Sequence, residues 1–289
     1  MRKKLPYQGG LTKLLCQKKA VWHKKQFRRN GLQINHFDEA RLNEINFEVI
    51  SFSGAKGFED QVLSIYSFLY YAGVPIKWTL YSDKSYTQEQ KDILKKKFSF
   101  VSITDWDVNN YCSNSKILND YLKICGLAKK LTAIISHPYF QQTIYLDSDI
   151  ILYKNISFYL SSGLLNKGLW YASDTLGNVN DYFNSTKESL YPLNSGLLIL
   201  NDTFNADDIF YYFENLNGKY EYFSEQSSFE FAFRRQDANI LDPRQFINDP
   251  CDQFDFNIKY DPHNIAMRHY TNPVRHKMWQ KGWQWHFKA

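Results

Sequence analysis

Apolar and polar residues alternate with a period of two in Phe47-Glu48-Val49-Ile50-Ser51-Phe52, which predicts a strand with one buried face. The period then changes. Val62, Ile65, Tyr66 and Leu69 fall on one face of a helix over 59–72, closed by Gly73. Between them, Ser53-Gly54-Ala55-Lys56-Gly57 reads as a glycine-bearing loop, whose backbone N–H groups can meet a ligand. Ile76–Tyr81 predicts a second strand, 88–98 a polar-faced helix, 100–103 a short third strand and 116–135 a longer helix. Further strands are expected at 169–174, 193–201 and 266–270, and helices at 207–216 and 224–234. Strands and helices alternating in this way predict an α/β fold, a mostly parallel sheet flanked by helices. In such sheets ligands sit beyond the C-terminal ends of the strands.

One apolar run breaks the pattern. Thr143-Ile144-Tyr145-Leu146-Asp147-Ser148-Asp149-Ile150-Ile151-Leu152 reads as a buried strand carrying two acids. Buried carboxylates need compensation. Two residues apart on an extended chain, Asp147 and Asp149 would point the same way, and paired oxygens suit a hard cation, Mg²⁺ or Mn²⁺. The alternative is a pair of solvated or helix-capping acids at a turn.

Charge divides the chain. Of 35 Lys and Arg, ten lie in residues 1–37, which hold no acid; the other 25 face 30 acids. Residues 1–45 therefore read as a basic N-terminal extension and 46–289 as the folded domain. Within 11–27, Leu11, Leu14, Leu15, Val21, Trp22 and Phe27 stand among five lysines. That pattern suits a helix lying on an anionic membrane, a helix packed on the domain, or a solvated tail. Cys16, Cys112, Cys125 and Cys251 have no metal-ligand spacing and are expected as free thiols in a reducing cytoplasm. No apolar run reaches membrane-spanning length and no signal-peptide core is evident, so a cytoplasmic protein is expected, peripheral at the inner membrane face if the arm binds lipid. The tail carries Trp279, Trp283, Trp285 and Phe287.

Three ordered motifs carry a resemblance. Tyr145-Leu146-Asp147-Ser148-Asp149 resembles the DxD strand of GT-A glycosyltransferases. Asn194-Ser195-Gly196-Leu197-Leu198 is similar to the NSG strand of family 8 retaining enzymes, the glycogenin and lipooligosaccharide galactosyltransferase group. His269-Tyr270-Thr271-Asn272-Pro273 through Lys277-Met278-Trp279 resembles that family's terminal HxxGxxKPW signature, with two extra residues, no glycine and Met278 in place of proline. Glu225-Gln226 occupies the place of its Asp-Gln pair, and Lys123, Lys129 or Lys130 stands where an arginine precedes DxD.

The resemblance implies a GT-A fold and a metal-dependent transfer from a nucleotide-sugar donor, a UDP-sugar, to a glycan or lipid-linked acceptor, with no nucleic acid as partner. It assigns Asp147, Asp149 and His269 to the metal, and an imidazole nitrogen in the set favours Mn²⁺ over Mg²⁺. Lys277 would meet the diphosphate, and Ser53 and Ala55, with Tyr81-Ser82-Asp83 as a further wall, would line the nucleotide. Asp174, Asn194 and Gln226 would surround the sugar, with an amide at 226 favouring front-face transfer over a covalent intermediate. Two rival readings are a sugar-phosphate nucleotidyltransferase and a non-catalytic sugar-nucleotide-binding module.

Overall fold

The computed structural model describes residues 11–33, 42–108, 115–174, 191–249, 260–272 and 274–279. The chain opens with a helix, α1 (Leu11–Asn30), followed by β1 (Glu44–Ser53), α2 (Phe58–Tyr71), β2 (Val74–Ser82), α3 (Gln88–Lys97) and β3 (Val101–Asp105). Then come α4 (Lys116–Ile124), α5 (Leu127–Ile135), β4 (Thr143–Leu146), β5 (Ile150–Leu152), α6 (Ile156–Ser161) and β6 (Trp170–Ser173). The last third holds β7 (Leu193–Leu200), α7 (Asp207–Asn215), α8 (Ser224–Arg235), β8 (Asn239–Ile240), β9 (Phe246–Ile247) and β10 (Met267–His269).

A seven-stranded sheet runs β3-β2-β1-β4-β7-β6-β8. Its first four strands are parallel; β7 is antiparallel to both β4 and β6, and β6 and β8 are parallel. Side chains divide by the period of two. Val49, Ile144, Leu146, Leu197 and Ile199 pack into the core on one face, and Ile50, Tyr145, Leu198 and Leu200 into that on the other. Both faces of the central strands are buried, as a sheet covered by helices on each side requires. Gly73, at φ +106°, ends α2 where a Cβ would lie 2.2 Å from the Asn43 carbonyl oxygen.

Two expectations change, and one of the three readings of the basic segment is met. The acid-bearing run is not one strand. β4 ends at Leu146, Ile150 N donates to Asp147 O (3.2 Å) across a turn, and β5 leaves for a second, three-stranded sheet, β5-β10-β9. The helix expected over 116–135 breaks at Cys125 (φ −142°, ψ 125°), and Gly126 opens α5. The basic segment of the extension is a helix docked on the domain. Cys16, Ala20, His23 and Phe27 face inward, and Phe27 packs on Trp279, ring centroids 5.1 Å apart. Among the described residues no helix is long and apolar enough to cross a membrane, and Cys16 and Cys125 are buried thiols outside any disulfide. Cys112, Cys251, Trp283, Trp285 and Phe287 lie outside the described residues.

Candidate active site

The site lies where the two sheets meet, at the C-terminal end of β4. The turn Asp147-Ser148-Asp149 is held from beneath by β7, because Asp147 N donates to Gly196 O (2.8 Å). After the turn, β5 pairs antiparallel with β10 and sets His269 opposite Ile150. That register brings together residues 120 positions apart. His269 Nε2 lies 3.1 Å from Asp149 Oδ1 and 3.9 Å from Asp147 Oδ2. One ligand atom from each of the three falls within 4.8 Å of the others.

The chemistry of this donor set fits a divalent cation. His269 Nδ1 donates to Asn194 Oδ1 (2.9 Å), which leaves Nε2 directed at the carboxylates as the ligating nitrogen. Burial alone would pull the His269 pKa down, but the neighbouring Asp149 and Asp147 carboxylates overrule it and hold it above the ordinary value. Burial pushes the Asp149 carboxyl up, and the stronger attraction of His269 and Arg275 holds it far below the usual carboxylate range.

Asp147 is held from the other side. Tyr145 OH donates to its Oδ1 (2.5 Å) and Lys130 Nζ to its Oδ2 (3.2 Å). Lys130, on α5, also donates to Ser195 Oγ (3.1 Å), lies 3.5 Å from Glu225 Oε1 and sits over the Tyr145 ring. Burial lowers its pKa, but Asp147 and Glu225 raise it further, so the ammonium stays charged. Burial pushes Glu225 up against the pull of Lys130. Of the three lysines considered before DxD, Lys130 is the one at the site.

These groups line a cavity of about 270 Å³ with Phe52, Tyr222, Gln226, Thr271, Asn272 and Arg275. Asn194 lines it too, but its carbonyl oxygen is taken by His269 and by Gly196 N (2.9 Å), so it positions the His269 imidazole. Gln226 reaches the cavity while its Nε2 donates to Asp174 Oδ2 (2.8 Å); Asn248 Nδ2 holds the other Asp174 oxygen (2.7 Å). Asp174 therefore orients Gln226. Ser53 ends β1, and Ala55 opens the 3-10 turn Ala55–Gly57 that follows it. Ser53 Oγ donates to Gln61 Oε1 (2.9 Å) and Ala55 N to Ser85 Oγ (2.8 Å), while a Cβ on Gly57 would touch Ser148 Oγ at 3.4 Å.

Lys277 sits in the 3-10 turn Arg275–Trp279, is 8% exposed and does not line this cavity. Arg275 does, with Nη1 3.3 Å from Asp149 Oδ2. The sequence held the signal: HxxGxxK places its cation six residues after its histidine, and residue 275 is that position.

No known protein-family profile and no curated protein matches the sequence. Solved structures do match the fold. The chain is similar to the galactosyltransferase LgtC, crystallised with donor and acceptor sugar analogues, at TM-score 0.56 and 11% identity over 83% of this chain and 94% of that one. It is similar to mouse xyloside xylosyltransferase 1 at TM-score 0.54 and 13% identity, over 80% of this chain and 99% of that one. The glycosyltransferase GlyE of Streptococcus pneumoniae TIGR4 aligns at TM-score 0.52 and 14% identity, over 84% of this chain and 61% of that one. The fold is that of the GT-A glycosyltransferases, of which family 8 is one member group.

Proposed function

We propose that this protein is a metal-dependent glycosyltransferase that moves a sugar from a nucleotide diphosphate, a UDP-sugar, to a glycan or lipid-linked acceptor with retention. The observation that carries the reading is the convergence of Asp147, Asp149 and His269 at the strand end of a GT-A sheet. Those three would hold Mn²⁺, or Mg²⁺, which supplies Lewis-acid stabilisation of the departing diphosphate. Arg275 adds a planar guanidinium beside the same phosphates, whose N–H groups suit phosphate oxygens; Lys277 is the second cation of that turn. Lys130 donates to Asp147 and fixes it in place. Gln226, held by Asp174, presents its amide oxygen to the sugar's reacting face, and Asn194 holds the imidazole. Ser53 and Ala55 wall the nucleotide. An amide is a poor nucleophile, which favours front-face transfer, the acceptor hydroxyl losing its proton to the leaving phosphate.

The test incubates the protein with Mn²⁺ and a panel of nucleotide sugars and acceptor extracts, then follows nucleotide release. Diphosphate release that disappears in Asp149→Ala supports transfer. Pyrophosphate formation from a nucleoside triphosphate and a sugar phosphate would instead mark a nucleotidyltransferase. Binding of donors without turnover would mark a non-catalytic module.

The outer face of α1 favours a membrane-associated acceptor. Leu14, Leu15, Val21 and Trp22 are each half exposed or more, among exposed Lys18, Lys19, Lys25 and Arg29. Apolar anchors between cations suit the anionic inner face of a membrane, with the enzyme on its cytoplasmic side. Sedimentation with phosphatidylglycerol vesicles should fall sharply in a Trp22→Ser, Lys18→Glu, Lys25→Glu variant; equal binding removes this reading.

A further inference from the structure

Asp60 is a buried carboxylate with four donors. It sits in the first turn of α2 and is 2% exposed. Its Oδ1 accepts from Lys24 Nζ (2.9 Å) and Trp279 Nε1 (2.7 Å), and its Oδ2 from Arg275 Nε (3.1 Å) and Nη2 (2.9 Å). The next acid along, Glu59, accepts from Arg28 Nε (2.5 Å) and lies 3.7 Å from Lys24 Nζ. Two buried acids thus meet three cations, and two of those cations belong to α1.

This cluster ends at the metal site. With Nε and Nη2 tied to Asp60, the Arg275 guanidinium has its remaining edge, Nη1, 3.3 Å from Asp149 Oδ2. A free arginine carries several rotatable bonds and spends entropy on every ordered contact. Here that ordering is complete before any ligand arrives. Charge balance points the same way. Lys24 supplies positive charge to Asp60, so Asp60 does not cancel Arg275, and the excess cation faces the cavity.

We propose that α1 is a working part of the diphosphate clamp. Through Lys24 it sustains Asp60, and Asp60 is the positioning residue that aims Arg275 at the metal face. The proposal rests on the reading of Arg275 as a phosphate contact given above. It makes a segment outside the sheet's own strand–helix alternation a determinant of donor affinity.

The test is calorimetric titration of the full-length protein in saturating Mn²⁺, with UDP as one probe and inorganic pyrophosphate as a second that needs no base. Asp60→Asn keeps the shape and removes the charge. It should weaken UDP binding by about tenfold, the scale of one charge-assisted hydrogen bond. The Asp60→Asn, Arg275→Ala double variant should bind no more weakly than Arg275→Ala alone, since both changes remove one interaction. Wild-type affinity in Asp60→Asn, or losses that multiply in the double variant, would overturn the proposal. Wild-type affinity in Arg275→Ala would instead overturn the phosphate-contact reading. Should Asp60→Asn fail to fold, Lys24→Met, at a part-exposed position, carries the same test. It should weaken both probes a few-fold in the wild-type background and not at all on top of Arg275→Ala, and an unchanged affinity in the wild-type background sinks the idea.

Discussion

A methyl group on Gly196 would lie 2.3 Å from His269 Cε1 and 2.7 Å from its Nδ1. The glycine of the NSG strand is there because the imidazole lies directly against its backbone, a requirement of space. Gly196→Ala must push His269 out of line with Asp149, and with it the Asn194 Oδ1 that holds the imidazole, which lies 2.8 Å from the same methyl. The expected outcome is a loss of Mn²⁺ affinity of about tenfold or more, read by calorimetry, with near-normal expression. Asp147, Asp149 and His269 were legible in the sequence because their spacing and order form a motif. Lys130 was visible only as one of three lysines, since a sequence does not say which side chain turns inward. His137 shows the same limit. It is buried, with Nδ1 2.8 Å from Tyr81 OH and Glu48 3.5 Å from Nε2. Burial lowers its pKa, with Lys77 adding to the effect and Glu48 opposing it. The folded protein therefore resists protonation at a site that the unfolded chain protonates near pH 6.5. Stability is whole above that value and falls as pH drops from about 6.5 towards the lowered folded value. Urea midpoints between pH 7.5 and 5 should show the decline, and His137→Gln should flatten it; an unchanged slope removes His137 as its source.

Elements placed by their own periodicity were the readable ones. β1, α2, β2, α3 and β7 lie where alternation and helical spacing put them. The two-residue strands β8 and β9 carry too few positions to show any period, and they are defined by their neighbours β6 and β10. The turn inside the acid-bearing run was hidden by its own flanks. Ile150-Ile151-Leu152 is as apolar as Thr143–Leu146, and nothing local says that it belongs to another sheet. For α1 the sequence left three readings open, because its charge masks the thin inward stripe of Cys16, Ala20 and Phe27. The docked helix gives a measurable consequence. Phe27 is 0% exposed against Trp279, so Phe27→Ala should destabilise the whole domain by about 3 kcal/mol in urea unfolding. A solvated tail would give no change.

At the scale of the whole molecule, the three residues proposed to hold the metal come from both sheets. Asp147 directly follows β4 of the seven-stranded sheet, while His269, on β10, and Asp149, just ahead of β5, stand at the three-stranded one. Their side chains converge across a boundary that the chain crosses at the Asp147–Asp149 turn, and β10 returns to it after an excursion through β6, β7, β8 and the three helices α6, α7 and α8. A cation there would bridge the two sheets and be bound by the folded protein alone, because the unfolded chain holds His269 far from both acids. Such a ligand stabilises by mass action. Free Mn²⁺ at one hundred times its dissociation constant should raise the unfolding free energy by about 2.7 kcal/mol. EDTA should reverse the gain, and His269→Ala should abolish it without changing the metal-free transition by a comparable amount. The two unfolding curves, with and without Mn²⁺, would then coincide in the variant. A full Mn²⁺ shift surviving in His269→Ala would mean that the metal sits on the acids alone, and the inter-sheet bridge would have to be abandoned.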